Sequence, residues 1–167
     1  FQTDNFPTIV ATSFCADALF EVYELFEDKA ILGECISSSR FIKLHLNRSY
    51  DNNGNVIFSY SPKDRSKVYN ASLLGCRLLA KAYKFDGNTE SKNLAISGLQ
   101  AIIDKQNSDG SWIYGKSFFQ SWIDSFHTGY VLECIYEIKQ IFNIINFEDN
   151  FNSGLKFYIN NFFDSNG

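Results

Sequence analysis

The chain repeats itself at an offset of 56 to 60 residues, and each unit contains two segments with helical periodicity. The matching pairs are Thr12 and Ser72, Leu19 and Leu79, Tyr23 and Tyr83, Gly54 and Gly110, and Gly98 and Gly154. Repeats of this length are typical of helical solenoids and toroids, in which each unit buries its apolar face against its neighbours. The repeat predicts an all-α fold: one domain over residues 1–167, built from about three antiparallel helical hairpins.

Six segments place apolar residues at helical spacing. In the first, Val10, Phe14, Ala18 and Val22 recur every fourth residue and form one stripe. The predicted helices cover residues 8–26, 29–46, 70–85, 89–106, 127–142 and 147–163. The stretches between the hairpins, 47–69 and 107–126, are predicted loops, and the Asp/Asn-rich turn ending at Gly54 suggests a short β-hairpin in the first loop.

Composition and charge narrow the function classes. Apolar residues make up 45% of the chain and aromatics 17%, which is enough for an ordered core. The formal net charge of −4 offers no basic surface for nucleic acid, and no apolar run reaches the roughly 18 residues of a membrane span. The four cysteines form no CxxC pair, so we expect buried, reduced thiols in a cytoplasmic protein.

Charged residues also repeat, with alternating sign. The first, third and fifth helices carry acidic, basic and acidic residues at equivalent positions. These are Asp17, Glu21 and Glu24, then Arg77, Lys81 and Lys84, then Glu133 and Glu137. Stripes of opposite sign on adjacent helices predict interhelical ion pairs, which set register more than they add stability when exposed. A catalytic carboxylate at Asp17 or Glu133 is the less favoured interpretation.

One stretch, residues 98–112, resembles the Q-W repeat of squalene and oxidosqualene cyclases. That repeat places a small residue, an aromatic, an aliphatic, a glutamine and G-x-W at fixed spacing. The matching residues are Gly98, Ile102, Gln106, Gly110 and Trp112, whereas Ala101 stands where the aromatic is expected. The resemblance implies that Gln106 bonds backbone at the start of a neighbouring helix, and that the motif fastens one hairpin to the next.

Three further segments, 58–62, 69–75 and 122–129, resemble a poorly characterised bacterial α/α-toroid family that accompanies polysaccharide-biosynthesis genes. The resemblance implies a terpenoid-cyclase-like toroid fold and a glycan setting, with no reaction attached. Complete toroids of this kind use more than three hairpins, so the expectation is a partial toroid or fragment. It should expose an apolar edge where further hairpins dock, and its partners would be the missing toroid half or other biosynthetic proteins.

The loops before the inner helices carry the candidate site. In antiparallel hairpins every inner helix starts at the same end, so these loops are expected to converge there. The candidate catalytic residues are Asp124, His127 and Tyr69, and the candidate substrate-binding residues are Tyr60, Asn70, Tyr114 and Trp122. A carboxylate three residues before a histidine can orient its imidazole for proton transfer. Equally, Asp124 can serve only as a helix cap.

The function most consistent with these features is processing or binding of a sugar or sugar-lipid intermediate, and whether the protein is an enzyme stays open. One alternative is a non-catalytic scaffold for other proteins. A weaker one is isoprenoid handling, because neither the D-x-D-D nor the D-D-x-x-D motif of terpene cyclases occurs in the sequence. No metal-ligand cluster, Walker loop or dinucleotide-binding motif suggests a cofactor.

Overall fold

The computed structural model describes residues 6–164, and within them the chain forms six α-helices and one small antiparallel sheet. The helices are α1 Ile9–Phe26, α2 Lys29–His45, α3 Tyr69–Asp86, α4 Thr89–Ile103, α5 Ser125–Phe142 and α6 Glu148–Phe162. The strands are β1 Arg48–Tyr50 and β2 Val56–Phe58, with Ser49 opposite Ile57. The all-α class and the short β-hairpin are confirmed, and each predicted helix end lies within three residues of the observed one.

Short polar caps explain where the helices begin. The side chains of Thr8, Asp28 and Asn88 each accept a hydrogen bond from a backbone N–H in the first turn of α1, α2 and α4. Such caps satisfy N–H groups that have no partner within the helix. At the other end of α3, Gly87 takes φ 64°, a left-handed conformation that favours glycine and turns the chain directly into α4.

Helix α3 lies at the centre of the fold. It packs against its hairpin partner α4 and has α1 on one side and α5 on the other. Its side chains are buried nearly from end to end, and Leu73, Leu74, Leu78 and Leu79 are inaccessible to solvent. The adjacency of α1, α3 and α5 agrees with the order that the sequence repeat predicts.

Equivalent glycines mark the close contacts within successive hairpins. A Cβ atom on Gly98 would lie only 2.2 Å from the sulfur of Cys76. Helices α3 and α4 therefore approach each other so closely at this point that only glycine fits. Fifty-six residues later, a Cβ on Gly154 would lie 2.5 Å from the Trp112 ring and 3.1 Å from Leu132. Leu132 in turn lies 56 residues after Cys76. The sequence repeat is therefore also a repeat of tertiary contacts.

Each long loop covers the amino end of the inner helix before it. The carbonyl oxygen of Tyr60 accepts a hydrogen bond from the backbone N–H of Ile9 at 2.9 Å, and that of Tyr114 accepts one from Tyr69 at 2.9 Å. Ile9 and Tyr69 are the first residues of α1 and α3. The loop that follows a hairpin thus caps the first helix of that same hairpin.

The Q-W-like stretch fastens the second hairpin to α6. The Gln106 side-chain nitrogen donates to the carbonyl oxygens of Asn150 at 2.8 Å and Gly110 at 2.9 Å, and the Asn150 amide donates back to Gln106 at 2.8 Å. The indole N–H of Trp112 donates to the carbonyl of Ile102 at 2.9 Å, with the ring buried. Gln106 therefore bonds backbone near the start of a neighbouring helix, as its motif predicts.

The charged stripes pair across three helices. The guanidinium of Arg77, buried in the middle of α3, bonds the carboxylates of Asp17 on α1 and of Glu137 on α5. Lys81 lies 3.0 Å from Asp17 and 3.1 Å from Glu137. A further carboxylate, Glu133, lies 3.2 Å from Arg77. The predicted ion pairs between helices are confirmed, and the most buried residue in them is Arg77.

The cysteines depart from expectation at one position. Cys35, Cys76 and Cys134 are buried free thiols, whereas Cys15 is exposed and lines an open groove beside Ala11. The prediction of four buried cysteines is wrong for Cys15 because it lies on the side of α1 that no described helix covers.

Among the helices of residues 6–164, none is both long and apolar enough to cross a membrane.

Candidate functional site

An aromatic cluster forms where the loop after α4 leads into α5. The rings of Tyr114 and Trp122 stack, with centroids 4.6 Å apart and planes 13° from parallel. The edge of His127 approaches Tyr114 at 4.5 Å. Because one face of Trp122 is covered by Tyr114 while 46% of the residue stays exposed, its other face is open to solvent. The site therefore presents a flat aromatic surface next to an imidazole.

Asp124 holds this cluster together. One carboxylate oxygen accepts the backbone N–H of His127 at 2.8 Å, which makes Asp124 the amino-terminal cap of α5. The other oxygen accepts the indole N–H of Trp122 at 3.0 Å and lies 2.6 Å from Nδ1 of His127. Burial by itself would raise the pKa of Asp124, but the hydrogen bonds from His127 and Trp122 outweigh it and lower that pKa. The group is a carboxylate at neutral pH.

The imidazole of His127 is held in place through one of its two ring nitrogens. Its Nδ1 faces Asp124, and within residues 6–164 its Nε2 has no hydrogen-bond partner. The side chain is one-third exposed, at 33%. A carboxylate that fixes one imidazole nitrogen leaves the other free to bond a ligand or exchange a proton. The cap and the orienting role, which the sequence presents as alternatives, coexist in Asp124.

The remaining predicted residues lie around this cluster at different depths. Tyr69 is only 4% exposed, and burial raises its pKa. Asn70 is also 4% exposed, and its side-chain oxygen has no partner. Burial raises the pKa of Tyr114, as do nearby Tyr60 and Asp124. Tyr60 itself is half-buried and lines the groove over α1.

The geometry thus brings five of the seven predicted residues into one connected set. Tyr69 joins it through its backbone bond to Tyr114, and the others join through ring contacts or hydrogen bonds. The exposed part consists of Trp122, Asp124 and His127. Asn70 is enclosed at the start of α3, and Tyr60 opens on the neighbouring groove. Their roles in binding or catalysis stay predictions.

Asp64 organises the loop between β2 and α3, whereas the basic residues on either side of it predict a solvated side chain. Its carboxylate accepts from the backbone N–H and hydroxyl of Ser61, each at 2.6 Å, and from those of Ser66 at 2.9 and 2.5 Å. It also accepts the N–H of Tyr60 at 3.2 Å. The sequence signal for such a turn is one serine three residues before Asp64 and another two residues after it. Asp64 therefore fixes the loop segment that carries Tyr60.

This arrangement predicts acid sensitivity. Burial alone would raise the pKa of Asp64, but its bonds from Ser61 and Ser66 lower that pKa below the usual 3.8. A carboxyl with a lowered folded-state pKa stabilises the fold above its unfolded pKa, and this stability is lost as the pH falls below about 4. We expect Asp64→Asn to cost about 1–2 kcal/mol at pH 7 and progressively less towards pH 3. Urea denaturation across this pH range measures the difference.

The matched control is Glu34→Gln, since Glu34 is exposed on α2 and its carboxylate has no bond like those of Asp64. It should change the unfolding free energy by less than about 0.5 kcal/mol at every pH. An Asp64→Asn penalty that is as large at pH 3 as at pH 7 would show that the carboxylate charge is not what organises the loop.

A second concavity lies at the carboxyl ends of α1, α3 and α5, with a volume of about 270 Å³. Its walls combine the aromatic rings of Phe20 and Phe85 with charged groups. Two of the three acids there are paired, since Lys81 bonds Glu137 and Lys84 lies 3.6 Å from Glu24. In residues 6–164, no three histidine, cysteine or acidic side chains gather as a metal site would require.

No protein-family model matches the sequence, and a search of curated proteins finds no match either.

Proposed function

We propose that this protein is a carbohydrate-binding helical-repeat protein, a partial α/α toroid that serves bacterial polysaccharide biosynthesis. The observation that carries the proposal is the Trp122 ring. Tyr114 supports one face at 4.6 Å, Asp124 fixes the indole nitrogen, and the opposite face is open. Sugar rings have an apolar C–H face that packs on aromatic rings, and a ring held in place before binding loses little entropy on binding.

Polar groups beside this surface suit hydroxyl recognition. The free Nε2 of His127 can bond a sugar hydroxyl, and the Asp124 carboxylate keeps the imidazole in place. A platform next to a few fixed polar groups is the usual composition of a small-molecule site. The same chemistry would bind a free sugar or the sugar of a lipid-linked intermediate.

Binding is better supported than turnover. Glycosidic-bond chemistry generally uses two carboxylates on opposite sides of the bond, and Asp124 is already engaged by Trp122 and His127. In a catalytic version of the proposal, His127 transfers the proton and Asp124 orients it. Tyr69 would then act from a buried position with a raised pKa, as a hydroxyl donor and not as a base.

Tryptophan fluorescence tests the proposal directly. The chain has two tryptophans, and Trp112 is buried, so Trp112→Phe leaves the exposed Trp122 as the reporter. Sugars, sugar nucleotides and polyprenyl-linked sugars are titrated, and we expect a saturable change with at least one of them. In the wild-type background, Trp122→Ala should weaken calorimetric binding about threefold to tenfold, as loss of about 0.5–1.5 kcal/mol of aromatic contact implies.

Trp122→Phe is the matched control, because it keeps a ring but loses the bond to Asp124, and it should retain most of the affinity. His127→Ala should also weaken binding while leaving the melting temperature nearly unchanged. The proposal fails if no probe saturates the signal, or if Trp122→Ala binds as tightly as the wild type.

The scaffold function is the second candidate, and an uncovered helix face on α5 and α6 favours it. Phe126 and Ile159 are exposed there, at 68% and 52%.

Isoprenoid handling has less support, because the groove at the carboxyl ends of the inner helices mixes Phe20 and Phe85 with lysine and glutamate. A prenyl chain would require a continuous apolar lining.

A further inference from the structure

The outer face of α5 and α6 reproduces the face of α1 and α2 that packs against α3. Residues on the two faces correspond at a constant offset of 116, the sum of the two repeat offsets 60 and 56. The corresponding pairs are Ser13 and Gly129, Ala16 and Leu132, Asp17 and Glu133, Ser39 and Leu155, and Ile42 and Tyr158. On α1 and α2, the four uncharged members are 0% exposed. On the third hairpin, Leu132 is also buried and Glu133 contacts Arg77, but the other three positions line an open groove.

A groove marks this register on the third hairpin. Its volume is about 480 Å³, and its walls come from α5 and α6, including Phe126, Gly129, Leu155 and Tyr158. Leu155 is 36% exposed, whereas its equivalent in the second hairpin, Leu99, is fully buried. Exposed apolar patches beside polar residues typically mark protein interfaces.

We propose that this face binds a helical hairpin of a partner polypeptide, whose first helix is seated as α3 is seated on α1 and α2. The contact that α3 makes defines what the partner must carry. A Cβ on Gly75 would lie 2.5 Å from the side chain of Ile9 and 3.5 Å from that of Ile42, so α3 crosses the first hairpin closely at a glycine. Next to it, Arg77 and Lys81 supply positive charge to the acidic row of α1.

Charge selects a basic partner over a second copy of this chain. Glu133 is 51% exposed at the edge of the groove. A copy docking with its first hairpin would present Asp17 and Glu21 where α3 presents Arg77 and Lys81, since these positions correspond at an offset of 60. Acidic rows would then face each other, which disfavours the contact. One carboxylate oxygen of Glu133 already lies 3.2 Å from Arg77, and a hairpin with arginine or lysine at these positions would contact the other oxygen.

The test uses the whole chain with one addition. A copy of residues 48–103, which contains the first loop, α3 and α4, is appended after Phe163 as the probe hairpin. We expect the melting temperature to rise by about 4 °C or more and amide exchange in α5 to slow at least tenfold. A matched extension carries Arg77→Glu and Lys81→Glu in the appended copy only, and it should show neither effect.

Three results would overturn the proposal. One is an appended hairpin that leaves exchange in α5 unchanged, which would mean that the face does not accept this fold. Another is equal stabilisation by the charge-reversed extension, which would mean that the partner hairpin does not need basic residues. The third is a dimer of the unextended chain in light scattering that Leu155→Arg dissociates, since the face would then belong to a second copy.

Discussion

Replacing Arg77 with leucine is expected to lower the free energy of unfolding by about 3 kcal/mol. The guanidinium is 3% exposed and forms ion pairs with three carboxylates, those of Asp17, Glu133 and Glu137. Removing one partner of a buried ion pair typically costs about 3–5 kcal/mol, because the remaining charge is left without compensation. The lower end applies here because Glu133 is half exposed and water can solvate it. Urea denaturation at pH 7 gives the value.

Lys84→Leu is the control, because the pair of Lys84 with Glu24 is about half exposed on both sides and should contribute less than about 1 kcal/mol. Adding Asp17→Asn to Arg77→Leu should restore part of the loss, since Asp17 is the most buried of the three acids. Equal losses for the Arg77 and Lys84 variants would mean that the cluster has no special energetic role.

Trp112→Ala is expected to cost about 3–5 kcal/mol, as large-to-small changes at buried aromatic positions do. The indole ring is 3% exposed, packs against the backbone of α6 at Gly154 and bonds the carbonyl of Ile102. Because the ring joins the second hairpin to the third, its loss should also speed amide exchange in α6 more than in α1. Thermal unfolding and hydrogen exchange provide the two measurements.

The other tryptophan supplies the comparison. Trp122→Ala removes the same side chain from an exposed position, and it should change the unfolding free energy by about 1 kcal/mol or less. If both variants lose the same stability, or if α1 and α6 respond alike to Trp112→Ala, then Trp112 does not join two hairpins.

The elements of the fold were predictable because the information for them is local or periodic. Apolar spacing located all six helices, and the turn at Gly54 located the β-hairpin. The repeat also predicted which helices are neighbours, so the pairing of Arg77 with Asp17 followed from charge sign alone. The Gln106 contact followed from the motif resemblance. Whether further hairpins complete a toroid stays a prediction.

The site was less predictable because its geometry depends on loop conformation. Sequence position placed Trp122 and His127 before or within the first turn of α5, but nothing in the sequence shows that Tyr114 folds back to stack on Trp122. The burial of Asn70, which is 4% exposed at the start of α3, depends likewise on long-range packing. The exposure of Cys15 depends on which side of α1 lacks a neighbour.

The hydrogen bonds from Ile9 to Tyr60 and from Tyr69 to Tyr114 also imply an order in which the chain can fold during synthesis. During synthesis the first inner helix emerges before the loop that caps it, and the second waits in the same way for Tyr114. Each hairpin would therefore reach its final stability only after the loop that follows it has emerged from the ribosome. Ribosome-bound chains that expose residues only up to 46 outside the exit tunnel should accordingly be digested by protease faster than chains that expose residues past 68.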